Sequence, residues 1–149
     1  MTAEANPLVC YLCVDGADAA IDFYRRAFGA VEDQRWTGED GRIGHAELTV
    51  EGAPVYLADE HPELGLRGPL AAGDTPVSLM LTVADADAVF EAALAAGATA
   101  ESPVEDQPYG MRMGWLRDPF GHRWGIGSYV AEVSAEELRE RVGDSYTIT

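Results

Sequence analysis

The chain has 149 residues, 47% of them apolar and 24% charged, enough for one domain with a core of ordinary richness. Its 26 acidic and 10 basic residues give a formal net charge of -16, a field that repels phosphate backbones and anionic lipid, so neither nucleic acid nor a membrane surface is an expected partner. All the basic residues are Arg, which removes Schiff-base and P-loop lysine chemistry, and no apolar stretch approaches the ~20 residues that span a bilayer, so a cytoplasmic protein is expected.

In chain order, the apolar run Leu8 to Val14 predicts a buried strand. Its cysteines, Cys10 and Cys13, form a C-x-x-C. On a strand, positions i and i+3 face opposite sides about 10 Å apart, beyond the ~7 Å that a disulfide spans, so two core thiols are expected. A helix follows, with Asp15 as its expected N-cap, Ala20, Phe23, Tyr24 and Ala27 at helical spacing, and Gly29-Ala30 as its stop. Three β-like segments come next: Val31 to Trp36, Ile43 to Val50 and Val55 to Ala58. Residues 60–75 form a linker bearing Gly and Pro.

The series then begins again. A strand from Val77 to Val83 leads into a helix capped by Asp85, with Val89, Phe90, Ala93 and Leu94 at helical spacing and a Gly97-Ala98 stop. Thr99 to Glu101, Met111 to Leu116 and Arg123 to Ser128 are the following β segments. Asp18 and Asp87 are 69 positions apart, as are the turn residues Gly52 and Gly121. Repetition of strand, cap, helix, glycine stop and turn at one offset is the mark of an internal duplication. The expected fold is α+β, a single domain of two tandem βαβββ units with curved mixed sheets: 8–59, the linker 60–75, 76–130, and a tail over 131–149. In that tail Ser134-Ala135-Glu136-Glu137 has the form of a capping box and opens a short charged helix, read as an accessory or interface element.

Tandem βαβββ units with Phe23-Tyr24, Phe28-Gly29-Ala30 and the turn Arg117-Asp118-Pro119-Phe120-Gly121-His122 resemble the vicinal-oxygen-chelate superfamily of glyoxalases, bleomycin-resistance proteins and dioxygenases. Asp40-Gly41-Arg42-Ile43-Gly44-His45-Ala46-Glu47-Leu48, Leu57-Ala58-Asp59-Glu60 and Pro103-Val104-Glu105-Asp106-Gln107 carry a closer likeness to its PhnB-like branch. The resemblance implies sheets curving around a cleft and pairing as a homodimer. It also implies, in metal-using members, one ligand from the first and last strand of each half. Those positions fall on Val9, Tyr56, Ser78 and Gly125. Val and Gly offer no donor atom, and slipping by two residues to Tyr11, Ala58, Met80 and Gly127 does not restore a ligand set. No metal and no cofactor is therefore expected.

If the odd-numbered face of the first strand lines the cleft that the resemblance implies, alternation brings Tyr11, Tyr56, Ser78 and Met80 to it, with Met111, Met113 and Trp115 on one face of the seventh strand and Trp36 and Tyr109 as further stacking surfaces. These are the candidate ligand-binding residues; the competing reading is that the aromatics only fill core. Leu8, Leu12, Val55, Leu57, Leu79, Leu81 and Val83 are expected to pack under the helices. The function read from this pattern is metal-free binding or sequestration of a small aromatic or cationic molecule, as bleomycin-resistance relatives hold a basic drug. Two other classes stay open. One is an enzyme, lyase, isomerase or dioxygenase-like, using His45, Glu47 or Asp59 as acid or base. The other is a partner-binding module working through the C-terminal helix.

Overall fold

A computed structural model describes residues 8–149. Strand β1 (Cys10–Val14), helix α1 (Ala17–Phe28) and strands β2 (Val31–Thr37), β3 (Ile43–Val50) and β4 (Ala53–Asp59) form the first unit. The connection holds a 3₁₀ turn over Pro62–Leu64 and the one-turn helix α2 (Pro69–Ala72). The second unit comprises β5 (Ser78–Thr82), α3 (Ala86–Ala95), β6 (Thr99–Asp106), β7 (Met111–Arg117) and β8 (Arg123–Tyr129), and α4 (Ala135–Val142) follows it. The sheets are ordered β1-β4-β3-β2 and β5-β8-β7-β6, so each unit pairs its first and last strands in parallel. The duplication extends to register: Cys10 faces Val55, and Leu79 faces Trp124, each 69 positions on.

The helix starts differ from the sequence expectation in one half. Asp85 caps α3, accepting from the Ala88 N–H at 3.1 Å. The N-cap of α1 is Gly16, so Asp15 lies one residue too early to cap. At the 69-residue offset Gly16, without a side chain, occupies the place of Asp85. The missing acceptor comes from across the sheet: Asp59 accepts from Ala17 N–H through one oxygen and from Ile43 N–H through the other, both at 2.7 Å. Ser128, at the matching place in the second half, accepts from Ala86 N–H at 2.7 Å. Ser134 caps α4 as expected, accepting from Glu137 N–H at 3.1 Å.

Each helix lies on one face of its own sheet, and α1 and α3 pack against one another. Leu12, Val14, Phe23, Leu57, Leu81, Phe90, Leu116 and Ile126 thereby join one apolar core spanning both units. Leu8 does not take part; it precedes β1 and is 88% exposed. The joint between units is held by buried Asp118, whose carboxylate accepts from Tyr24 Oη–H at 2.6 Å, Trp124 Nε1–H at 2.9 Å, Phe120 N–H at 2.9 Å and His122 N–H at 3.0 Å. His122 Nε2 lies 3.0 Å from the Cys13 carbonyl, a second tie between the halves. Complete burial, and then the adjacent Asp118 carboxylate, push the Tyr24 phenol well above its ordinary value.

β6 runs eight residues, beyond the Thr99 to Glu101 segment expected. It is a polar edge strand with Pro103 and two register shifts, which is why alternation does not reveal it. With both helices between the sheets, the opposite face of each sheet is turned outward.

Candidate ligand-binding site

On the outward face of the first sheet, alternation and register bring four strands to one patch. Tyr11 lies opposite Tyr56, Tyr56 opposite Glu47, and His45 opposite Trp36. The His45 ring sits 5.4 Å from Tyr11, 5.2 Å from Tyr56 and 5.6 Å from Trp36, centroid to centroid, the last two edge-on. Edge-to-face packing of this kind lets aromatic rings support one another beyond their simple burial. A hydrogen-bond chain crosses the patch: Tyr11 Oη lies 2.6 Å from His45 Nδ1, and His45 Nε2 lies 3.1 Å from Glu47 Oε1. The cluster is not sealed core, since Tyr11 is 54% and Trp36 61% exposed. Partial burial, and then the charge of Glu47, raise the Tyr11 phenol above its usual range. A cavity of about 570 Å³ continues the patch past Cys13 and Ala58 to His61 and Leu66 of the connection. The Cys13 thiol beside it is raised too, by burial and then by Glu60 and Asp59.

The second sheet's outward face has a different character. Gly125 and Gly127 on β8 leave space that neighbouring side chains occupy: a Cβ at Gly125 would lie 2.8 Å from the Trp115 ring, and one at Gly127 2.8 Å from the Met111 terminal methyl. Met113 is 2% exposed, Met111 is also buried, and Tyr109 reaches back to place its hydroxyl 2.9 Å from Met113 Sδ. Arg123 stacks its guanidinium 3.9 Å from the Trp115 ring centroid while donating to Glu101 at 2.8 Å and to Ser78 Oγ at 3.1 Å. Met80, opposite Gly125, is 60% exposed.

The candidates from sequence thus fall into two groups. Tyr11, Trp36 and Tyr56 meet on the first face, whereas Ser78, Met80, Met111, Met113 and Trp115 belong to the second, with Tyr109 in the turn leading into β7. His45 and Glu47 join the first group, as their spacing on one strand allows. Their link to Tyr11 depends on the register of β1, β4 and β3 and could not be read from spacing. Arg123 was missed, although its parity with Gly125 on β8 is a signal that places it on the outward face. Asp59 leaves the acid and base candidates, because backbone N–H groups engage both its oxygens. Helix α4 buries no residue and is tied back through Arg141, which donates to the Pro108 carbonyl at 3.0 Å.

The residues do not fit the metal that metal-using relatives carry. Gly125 is covered by Trp115, and among the described residues no cluster of three or more His, Cys, Asp or Glu has metal-binding geometry.

The sequence matches the family model of the Glyoxalase/Bleomycin resistance protein/Dioxygenase superfamily over residues 6–126, and the chain belongs to that superfamily. It is 47% identical to an uncharacterized protein of Mycobacterium tuberculosis over 132 residues, covering 87% of this chain and 78% of that one. Among solved structures it is similar to TioX from Micromonospora sp. ML1, at 29% identity and a TM-score of 0.65, covering 87% of this chain and all of that one (100%). It also shares its fold with a PhnB protein of Bacillus cereus, described as a putative 3-demethylubiquinone-9 3-methyltransferase (22% identity, TM-score 0.64, 83% and 99% covered).

Proposed function

We propose that this chain is a metal-independent binding protein of the PhnB-like branch that holds a small aromatic or cationic molecule against the outward face of its first sheet, in the manner of a resistance protein that sequesters its ligand. The observation that carries the reading is the cluster of exposed Tyr11 and Trp36 with half-buried His45 and Tyr56, His45 being bonded to the Glu47 carboxylate. Aromatic faces attract cations and planar ligands, an adjacent carboxylate adds charge, and the net charge of -16 raises the local concentration of any cation. One wall does not enclose a ligand. A homodimer in which another sheet covers this face supplies the second wall, and the two outward faces of each chain support that arrangement.

The test is calorimetric titration with a small arylalkylamine in the presence of EDTA, alongside sedimentation. Saturable binding by a species of twice the 16.0 kDa chain mass is expected. Binding that vanishes with EDTA and returns with one divalent ion would overturn the reading. A second reading is favoured by the Tyr11–His45–Glu47 chain, whose order of carboxylate, imidazole and hydroxyl suits proton transfer to a small substrate. Solvent hydrogen exchange into a bound carbonyl compound, lost in His45→Ala, is its signature.

A further inference from the structure

We infer that the first-sheet site selects a protonated primary or secondary amine, one that donates hydrogen bonds, over a quaternary ammonium of equal charge; this rests on the proposed cation-binding reading and sharpens it. Glu47's carboxylate can only accept, so the 3.1 Å contact to His45 requires the proton on Nε2. In a neutral ring Nδ1 is then a bare acceptor, and the 2.6 Å contact requires Tyr11 to be the donor. The phenol is held above its usual range, so its proton stays in place. That proton is committed to His45, and the Tyr11 oxygen turns a lone pair toward solvent. Glu47 Oε2 has no hydrogen-bond partner among the described residues. Two acceptors, the Tyr11 oxygen and Glu47 Oε2, therefore stand open to a ligand, beside the donors of the Trp36 indole and the Tyr56 hydroxyl.

Aromatic walls alone favour cations whether or not they carry N–H groups, and often serve quaternary ammonium ligands. Here Trp36 and Tyr56 supply such walls, but a trimethylated head would leave two acceptors stripped of water and unpaired, which is costly. An N–H-bearing ammonium satisfies both with charge-assisted bonds. Among the first unit's basic side chains, Arg35 and Arg42 are occupied: Arg35 by Glu32 and Asp18, on the helix side of the sheet, and Arg42 by Asp40 and Glu63. Arg67 lines a separate recess of about 240 Å³ that reaches Tyr11 and Cys13 from the connection.

The experiment compares three probes sharing a phenethyl skeleton by calorimetry on the full chain: phenethylammonium, trimethylphenethylammonium and 3-phenylpropionate. The primary amine is expected to bind about tenfold or more tightly than the quaternary one, and the carboxylate not to bind. Tyr11→Phe keeps the ring and removes the outward oxygen, so it should weaken the primary amine and strengthen the quaternary probe, pulling the ratio of the two cations toward one. Equal or tighter binding of the quaternary probe to the unmodified chain overturns the inference and leaves cation binding standing. Absence of binding by every probe into the millimolar range, or preference for the carboxylate, overturns the cation-binding reading and the inference with it. A Tyr11→Phe variant of unchanged melting temperature that retains the full discrimination overturns the assignment to Tyr11.

Discussion

Asp118 connects four donors from α1, the turn before β8 and β8 itself, so the consequences of altering it can be worked out atom by atom. One oxygen takes Phe120 N–H and His122 N–H, and the other takes Tyr24 Oη–H and Trp124 Nε1–H. In Asp118→Asn the amide oxygen can keep the two backbone donors. The amide nitrogen then faces the other pair. Tyr24 can rotate its hydroxyl and accept, but the Trp124 indole can only donate and is stranded in a site where Trp124 is 2% exposed. A stranded buried donor costs about 1–3 kcal/mol. Asp118→Ala strands both side-chain donors and opens a void, for about 3–5 kcal/mol. Tyr24→Phe removes a single charge-assisted bond and leaves the carboxylate three donors, for about 1.5–2 kcal/mol. At about 3 °C per kcal/mol for a chain of this size, the melting temperature should fall by roughly 5 °C in Tyr24→Phe and by 9 °C or more in Asp118→Ala, with Asp118→Asn between them. Urea denaturation gives the same order as free energies. If all three variants melt within about 1 °C of the unmodified chain, the joint does not hold the units together as described.

Three further outcomes follow from the same structure. Because the folded state holds the Tyr24 proton more tightly than the unfolded chain, this contribution is complete below about pH 10 and is lost as pH rises beyond it, by up to about 1.4 kcal/mol per pH unit; alkaline melting curves should show this, and Tyr24→Phe should flatten them. Asp59→Ala should destabilise by about 2 kcal/mol, having freed two backbone donors, while Asp15→Ala should change stability by less than about 0.5 kcal/mol; equal effects in chemical denaturation would return the cap of α1 to Asp15. Gly125→Ala would place a Cβ 2.8 Å from the Trp115 ring, so it should displace that ring and change tryptophan fluorescence, and an unchanged spectrum would contradict the covering of β8 by Trp115.

How far the fold could be read in the sequence depended on what each element leaves behind. The duplication was legible because Asp18 and Asp87 and the two turn glycines keep one offset, and β3 was legible to its ends because Ile43, Ala46, Leu48 and Val50 face the core. The cap of α1 was not, since its acceptor lies on β4, more than forty residues away, and only tertiary structure brings Asp59 to Ala17. The extent of β6 was hidden by its polarity and bulges. Parity along strands put Tyr11 and Tyr56 together on the expected cleft side and put His45 and Glu47 on one face of β3 without fixing which face that is. Which of them touch is set by cross-strand register, which parity does not encode. Parity also put Met111 and Met113 on one face of the seventh strand, without showing that Gly127 lets them fold down into cover.

The most direct test of the central claim is a two-dimensional nitrogen–proton spectrum of the chain titrated with phenethylammonium in EDTA, read at the indole N–H signals of Trp36, Trp115 and Trp124. The binding face proposed for the first sheet predicts saturable shifts of the Trp36 indole and of backbone amides around Tyr11, His45 and Tyr56, with buried Trp124 unmoved. Shifts confined to Trp115 and β8, or none at all, would contradict it.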